Sequence, residues 1–290
     1  MKVTVDVEGR QLTLTNLDKV LYPEVGFTKG QVLDYYTRIA PVLLPHLADR
    51  ALTRKRYPDG VEGQVFFEKN APRGTPEWVR TATLPSPGSS KGRETIDYTV
   101  VEDLAGLVWT ANLAALELHV HQWKVGAGTA DLLVLDLDPG PPATVVECCE
   151  VALLLRPVLE ADGLVPLAKT SGSKGMQLYA RVDGLTSAQT SDYAKGLAQR
   201  FEASHPDLVL SRMTRAIRGG KVLVDWSQNS AAKTTVCVYS LRARERPTVS
   251  TPVTWDEVAA CTAPEDLVFT SDDVLERVGE HGDLFSPLLS

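Results

Sequence analysis

The chain has 290 residues, is 43% hydrophobic and 23% charged, and carries a formal net charge of -7. That composition can bury a substantial core without disulfide staples, and the acidic balance excludes broad adhesion to nucleic acid while leaving room for a local basic groove. The four cysteines lack metal-ligand spacing, the N-terminal MKVTVDVEGR has no signal-peptide core and no apolar run reaches membrane-spanning length, so a soluble cytoplasmic chain with structural thiols and no membrane partner is expected.

KVTVDVEGRQLTLTN alternates apolar and polar residues around Glu-Gly and reads as a hairpin. From Thr28, a candidate N-cap, Val32, Tyr36, Ile39 and Leu43 form a helical stripe that Pro41 and Pro45 are expected to limit. ALTRKRYPDG, GQVFFEKN and TIDYTVV read as short strands, and the Pro-, Gly- and Ser-rich stretch 84–94 as a mobile loop. The segment 102–123 begins as a helix and ends as a strand bearing His119 and His121. DLLVLDLDPG is an apolar strand, residues 144–163 are helical with Cys148 and Cys149 buried, and PLAKTSGSKGMQLYARV is strand-turn-strand. A helix over 187–204, strands in GKVLVDWSQN and KTTVCVYSLRAR, and a turn-rich tail with a short helix near Val274–Val278 complete the chain. With no repeat and no long linker, residues 1–290 are expected to form a single α+β domain, two packed mixed β-sheets flanked by helices.

Residues i and i+2 of a strand share a face, so Asp136 and Asp138 project side by side and invite a hard cation. Asp225 ends a second apolar strand, and three such aspartates suit a two-ion site for phosphoryl or nucleotidyl transfer. Taken alone, a D-x-D is more often a solvated strand end, but Pro139-Gly140 would fix this pair at a rim. In TSGSKG, residues 170–175, small residues can turn backbone amides toward an anion, although a plain hairpin turn explains the segment equally well. The Walker A spacing is absent. Arg54, Lys55, Arg56, Arg212, Arg215, Arg218 and Lys221 would ordinarily be solvated surface, yet Arg218 and Lys221 lie just before Asp225, where a metal-bound triphosphate would need positive charge. His119 and His121 share a strand face without enough further ligands for zinc; one suits the site, the other a structural place.

LTNLDKVLYP, TKGQVLDYY, TRKRYPDGV, FFEK, AALELHVHQW, LVLDLDPG, TSGSKGMQLY, RGGKVLVDWSQN and KTTVCVYSLRAR follow the order found in bacterial ligase D polymerase domains, of the archaeo-eukaryotic primase superfamily. The resemblance covers about Leu12 to Trp255. It implies a primase-polymerase core that extends primers at DNA gaps and broken ends with NTP or dNTP, favouring ribonucleotides, using two Mn2+ or Mg2+ ions. Motif by motif it implies Asp136, Asp138 and Asp225 as metal ligands and His119 near the reaction centre. It likewise implies Lys55, Ser171, Ser173, Lys174, Gln177, Arg218, Lys221, Gln228 and Arg242 around the nucleotide. Lys19 and Lys29 resemble a pair that recognises a downstream 5′-phosphate, and Phe66 and Phe67 resemble aromatics that steer DNA. At Gln177 the resembling pattern has histidine, so contact with the triphosphate is expected to be altered. No ligase or nuclease module is recognisable, which reads as a stand-alone, nucleoid-associated polymerase served by a separate DNA ligase and an end-binding protein. A non-catalytic DNA-end-binding module is the alternative; a metal-dependent phosphatase is disfavoured by Pro139-Gly140 and by the mid-chain position of the D-x-D.

Overall fold

The computed structural model describes residues 2–86 and 94–289; most of the Pro-, Gly- and Ser-rich stretch expected to be a mobile loop lies outside them. Strands β1 (Lys2–Val7) and β2 (Arg10–Thr15) pair antiparallel, and Glu8 and Gly9 both adopt left-handed backbone (φ 52° and 78°), the turn whose twist matches a two-residue hairpin. A second small hairpin, β3 (Val20–Tyr22) with β4 (Phe27–Thr28), leads into α1 (Lys29–Leu47). Thr28 caps that helix as expected: its hydroxyl accepts from Gln31 N, and Gln31 Oε1 accepts from Thr28 N. Contrary to expectation, α1 runs through Pro41 and Pro45. The buried stripe of Tyr36, Ile39, Ala40, Leu43 and Leu47 outweighs the backbone donors the two prolines forfeit.

The remaining strands form two larger sheets. One contains β5 (Ala51–Arg56), β6 (Phe66–Glu68), β7 (Thr81–Pro85), β8 (Thr95–Val100), β9 (Ala115–Val120) and, further along the chain, a two-residue strand at Thr235–Val236. Helix α2 (Leu104–Asn112), capped by Asp103, connects β8 to β9. The other sheet is built on β10 (Ala130–Pro139), which enters α3 (Val145–Ala161), and on β11 (Leu167–Thr170) and β12 (Met176–Leu185). Helix α4 (Ser187–Ser204) leads to β13 (Val209–Leu210) and β14 (Val222–Asp225); β15 (Thr235–Val236) is the late strand of the first sheet, and β16 (Pro252–Val253) closes the second in the order β13-β14-β10-β12-β11-β16. Short helices α5 (Trp255–Ala260) and α6 (Ser271–His281) follow.

The expectation of an α+β fold with two packed sheets holds, with two corrections. Only the β10 sheet is mixed: β13 and β14 are parallel because the chain returns through the 211–221 excursion, whereas the described pairs of the β5 sheet are antiparallel. The strand expected over KTTVCVYSLRAR is only two residues long, since the chain turns at Tyr239, whose φ is 64°. Among the described residues no helix is long and apolar enough to cross a membrane, and all four cysteines are buried and free.

Both faces of β10 are covered. Leu133, Leu135 and Leu137 pack with α3 and α4, while Leu132 and Val134 join the core shared with α1 and the β5 sheet. Asp136 and Asp138 continue this second row past the point where apolar partners stop. The period of the strand and the end of the core together place two carboxylates at the mouth of the cleft.

Candidate active site

At that mouth lies a hollow of about 400 Å³ whose lining includes Asp136, Asp138, His119, Lys174, Arg218 and Arg242. Ser171, Ser173, Gln177 and Gln228 also face it, so ten of the residues expected at a nucleotide site converge there from separate stretches of the chain. The antiparallel register sets Asp225 directly across from Asp136. Burial is the first cause pushing the Asp136 carboxyl above the usual range, followed by the charges of Asp138 and, more weakly, Asp225; the hydrogen bond from Gln177 opposes them. Asp138 is raised as well, by burial and by Asp225. A carboxylate cluster under such mutual repulsion is stabilised by a hard cation, so the donor chemistry of Asp136 and Asp138 fits a divalent ion.

Asp225 is less free. Its Oδ1 accepts from Ser227 N (3.0 Å) and Ser227 Oγ (2.5 Å), and its Oδ2 from Gln228 Nε2 (2.8 Å), so the carboxylate caps the 3-10 turn that follows its own strand. Among the described residues no group of three or more His, Cys, Asp or Glu side chains is gathered closely enough to hold a metal. The three aspartates are neighbours in the sheet but not an assembled ligand set; Asp225 would join the other two by giving up a bond to Ser227 or Gln228.

The TSGSKG turn between β11 and β12 is shaped by its small residues. Ser171 Oγ accepts from the backbone N–H groups of Ser173 and Gly175, each at 3.2 Å. Gly172 has φ +65°, and a Cβ at Gly175 would run into the carbonyl oxygen of Leu137. Arg242 donates to Ser171 O, and Arg244 donates to Ser173 Oγ. Lys174 and Arg218 extend the cationic wall, and among the described residues Arg218 Nε is buried without a hydrogen-bond partner. This arrangement can hold a polyanion in the hollow that the aspartates also line.

Glu117 organises the wall that strand β9 contributes, and the sequence reading missed it. It is 2% exposed, its Oε2 lies 2.9 Å from both Lys55 Nζ and His119 Nε2, and its Oε1 lies 3.4 Å from Arg242 Nε and accepts from Ala243 N at 3.1 Å. Burial by itself would raise this carboxyl, but the bond with His119 and the charges of Arg242, His119 and Lys55 hold it well below the usual carboxylate range. Burial lowers His119 in turn, with Glu117 opposing. Its trace in the sequence is the period-2 row Glu117-His119-His121, which sets the carboxylate on the same strand face as the two histidines. His121 serves the packing: its Nδ1 lies 3.0 Å from Lys233 O, its ring stacks on Trp123, and burial holds it down to about 4.

Lys169, also missed, is a lysine buried inside the β10 sheet, held down to about 7 by burial. It lies on β11 just before TSGSKG, and nothing in the sequence distinguishes it from a solvated strand residue.

Other expected residues lie outside the hollow. Lys221 Nζ donates to Pro206 O at 2.6 Å. Lys29 is buried, its ammonium donating to Thr15 O (2.6 Å), Thr15 Oγ1 (3.2 Å) and Asn112 Oδ1 (2.8 Å), while Lys19 pairs with Asp59 at 2.8 Å on the surface. Burial, then Arg56 and Lys19, bring Lys29 down to about 8; the three cations are thus within electrostatic reach of one another. Phe67 is 55% exposed and meets His119 edge-on at 6.4 Å, with Phe66 beside it on β6. Of the remaining basic residues, Arg54 is fully buried against Thr99 and Asn70, Arg56 pairs with Glu68, and Arg212 pairs with Glu202.

The family model described as LigD, primase-polymerase domain, matches residues 28–285. The multifunctional non-homologous end joining protein LigD of Mycolicibacterium smegmatis is 43% identical over 282 residues, covering 96% of this chain and 36% of that protein. The bifunctional non-homologous end joining protein LigD of Bacillus subtilis is 31% identical over 274 residues, covering 94% of this chain and 43% of that protein. The chain therefore spans well under half the length of these relatives. A solved structure, the polymerase domain from Mycobacterium tuberculosis Ligase D in complex with DNA, is similar with a TM-score of 0.89 and 44% identity, covering 96% of this chain and 98% of that one.

Proposed function

The chain belongs to the LigD primase-polymerase domain family, and from that premise we propose that residues 1–290 act as one nucleotidyltransferase unit that extends DNA primers at gaps and broken ends. The observation that carries this reading is the convergence on one hollow of the Asp136/Asp138 pair and the cationic side chains Lys174, Arg218 and Arg242. A binding surface for phosphates gains nothing from a carboxylate cluster, whereas a phosphoryl-transfer site needs both halves.

Asp136 and Asp138 would hold divalent ions, Mn2+ or Mg2+, with Asp225 completing the set. Such ions, when bound, supply Lewis-acid neutralisation of the triphosphate and activation of an attacking hydroxyl. The TSGSKG amides, Lys174, Arg218 and Arg242 bind and orient the triphosphate, and their fixed positive charge stabilises what develops at the transferring phosphorus. Glu117 holds His119 and Arg242, which line the hollow, and pairs with Lys55, which lies outside its lining. Phe66 and Phe67 offer aromatic faces to template bases, and the Lys19, Lys29 and Arg56 group offers charge to a downstream 5′-phosphate. The relatives named above are end-joining proteins. Their names support a repair role at broken ends; a cytoplasmic setting, a DNA ligase and an end-binding protein as partners, and ribonucleotides as favoured substrates belong to the same proposal.

The test is primer extension on gapped, overhanging and unprimed templates, with Mn2+ or Mg2+ and with NTP or dNTP. Incorporation by the native chain that disappears in Asp136→Ala, with DNA affinity retained, is the expected result. Undiminished extension by Asp136→Ala, or none by the native chain with either metal, would overturn the reading.

A further inference from the structure

Behind the hollow, three strands align one residue each into a single row. The register pairs Asp136 on β10 with Gln177 on β12, and Gln177 with Lys169 on β11. Lys169 is 1% exposed, and among the described residues the hydrogen-bond partners of its ammonium are an amide, a hydroxyl and a carbonyl, with no carboxylate. Its ammonium donates to Gln177 Oε1 at 2.6 Å, Ser250 Oγ at 2.6 Å and Val236 O at 3.1 Å, which uses all three of its N–H bonds. Ser250 Oγ in turn donates to Thr170 O at 2.9 Å, so its role as acceptor from Lys169 is settled.

An ammonium only donates, so the Gln177 amide must present its oxygen to Lys169. That turns Nε2 the other way, where it donates to Asp136 Oδ1 at 3.0 Å. The carboxylate only accepts, so ammonium and carboxylate hold the amide in one orientation from its two ends. A buried cation with no carboxylate in direct contact is costly, and the charge of Asp136, one amide away, offsets only part of that cost. The cost is compatible with a role outside folding.

Resting on the polymerase reading above, we propose that Lys169 is a positioning residue for nucleotidyl transfer: through the Gln177 amide it fixes the direction of the Asp136 carboxylate. Lys169 touches neither substrate nor the reacting atoms. Its influence passes through one amide and is lost if that amide is absent.

The experiment uses the full chain with Lys169→Met, Gln177→Met and the double variant. Three quantities are measured: thermal midpoint, single-turnover incorporation rate with apparent nucleotide affinity, and the Gln177 side-chain amide resonances assigned by their loss in Gln177→Met. Lys169→Met leaves Gln177 Oε1, Ser250 Oγ and Val236 O without their buried donor, so the midpoint should fall. Incorporation by the folded chain should slow by about 10- to 100-fold, the usual effect of losing the partner that orients a ligating side chain. Apparent nucleotide affinity should change little. In the Gln177→Met background the same substitution should change the rate by no more than about twofold, because contacting residues that act in series are not additive. Equal losses in the two backgrounds, or an unchanged rate in Lys169→Met, would overturn the proposal. The amide resonances report independently of catalysis: they should be sharp and slow to exchange with solvent in the native chain, and broadened or shifted in Lys169→Met. If they are unchanged, the proposal fails even where the native chain extends primers; if the native chain is inactive, the polymerase reading fails while the resonances still test the relay.

Discussion

Replacing Glu117 by Gln would remove the negative charge at the centre of a cationic wall while nearly preserving shape. Glu117 is 2% exposed, and Lys55, His119 and Arg242 converge on it from three elements, with side chains 25%, 13% and 13% exposed. The Gln side chain would keep one acceptor and present a donor to groups that are themselves donors. Removing one partner of a buried ion pair typically costs about 3–5 kcal/mol. The three partners retain some contact with water, so the lower end, about 3 kcal/mol, is expected. For a chain of this size that corresponds to a drop of roughly 5–10 °C in thermal midpoint. Urea unfolding at neutral pH, with and without tripolyphosphate, measures it. The polyanion should recover part of the loss, because it replaces the missing counter-charge for Arg242, which lines the hollow. The pH dependence has a definite sign. The folded Glu117 carboxyl sits below its ordinary value of 4.5, so its contribution is fully present above that pH and is lost as the pH falls below it. Native and Glu117→Gln stabilities should therefore converge on acidification. A neutral-pH difference below about 1 kcal/mol, the size of one ordinary neutral hydrogen bond, would refute the view that this carboxylate organises the site.

Three further outcomes are expected. Lys19→Ala should cost less than about 1 kcal/mol of stability, as exposed pairs do, and Lys29→Ala about 1–3 kcal/mol, because Thr15 O and Asn112 Oδ1 lose a buried donor; either should reduce the preference for gapped DNA bearing a 5′-phosphate over 5′-hydroxyl, read by titration at fixed salt. Gly175→Ala should abolish triphosphate binding while leaving the fold intact by circular dichroism, since its Cβ meets the Leu137 carbonyl at the base of the TSGSKG turn. Phe67→Ala should weaken single-stranded template binding by about 1–3 kcal/mol without lowering the thermal midpoint, because the ring is largely solvent-exposed.

Local chemistry carried much of this protein into its sequence. The Thr28 cap with Gln31, the Glu8-Gly9 turn, the helix over Ser187–Ser204 and the pairing of Asp136 with Asp138 on one strand face follow from interactions spanning a few residues, and each is found where the pattern placed it. Residues that end apolar strands or fill small-residue turns announce themselves, because a charge or a glycine breaks a pattern. Tertiary structure decided what those patterns face. Glu117 and Lys169 are charged residues inside ordinary strand alternation, and their burial follows from strands far apart in the chain closing over them. The same long-range packing buries Lys29 against Thr15 and Asn112, turns Lys221 toward Pro206, and commits both ends of the Gln177 amide. It carries α1 through two prolines and ends the expected strand after Val236. Sequence spacing fixes which face of a strand a side chain leaves from; whether that face meets water, an apolar layer or an opposite charge depends on partners tens to hundreds of residues away.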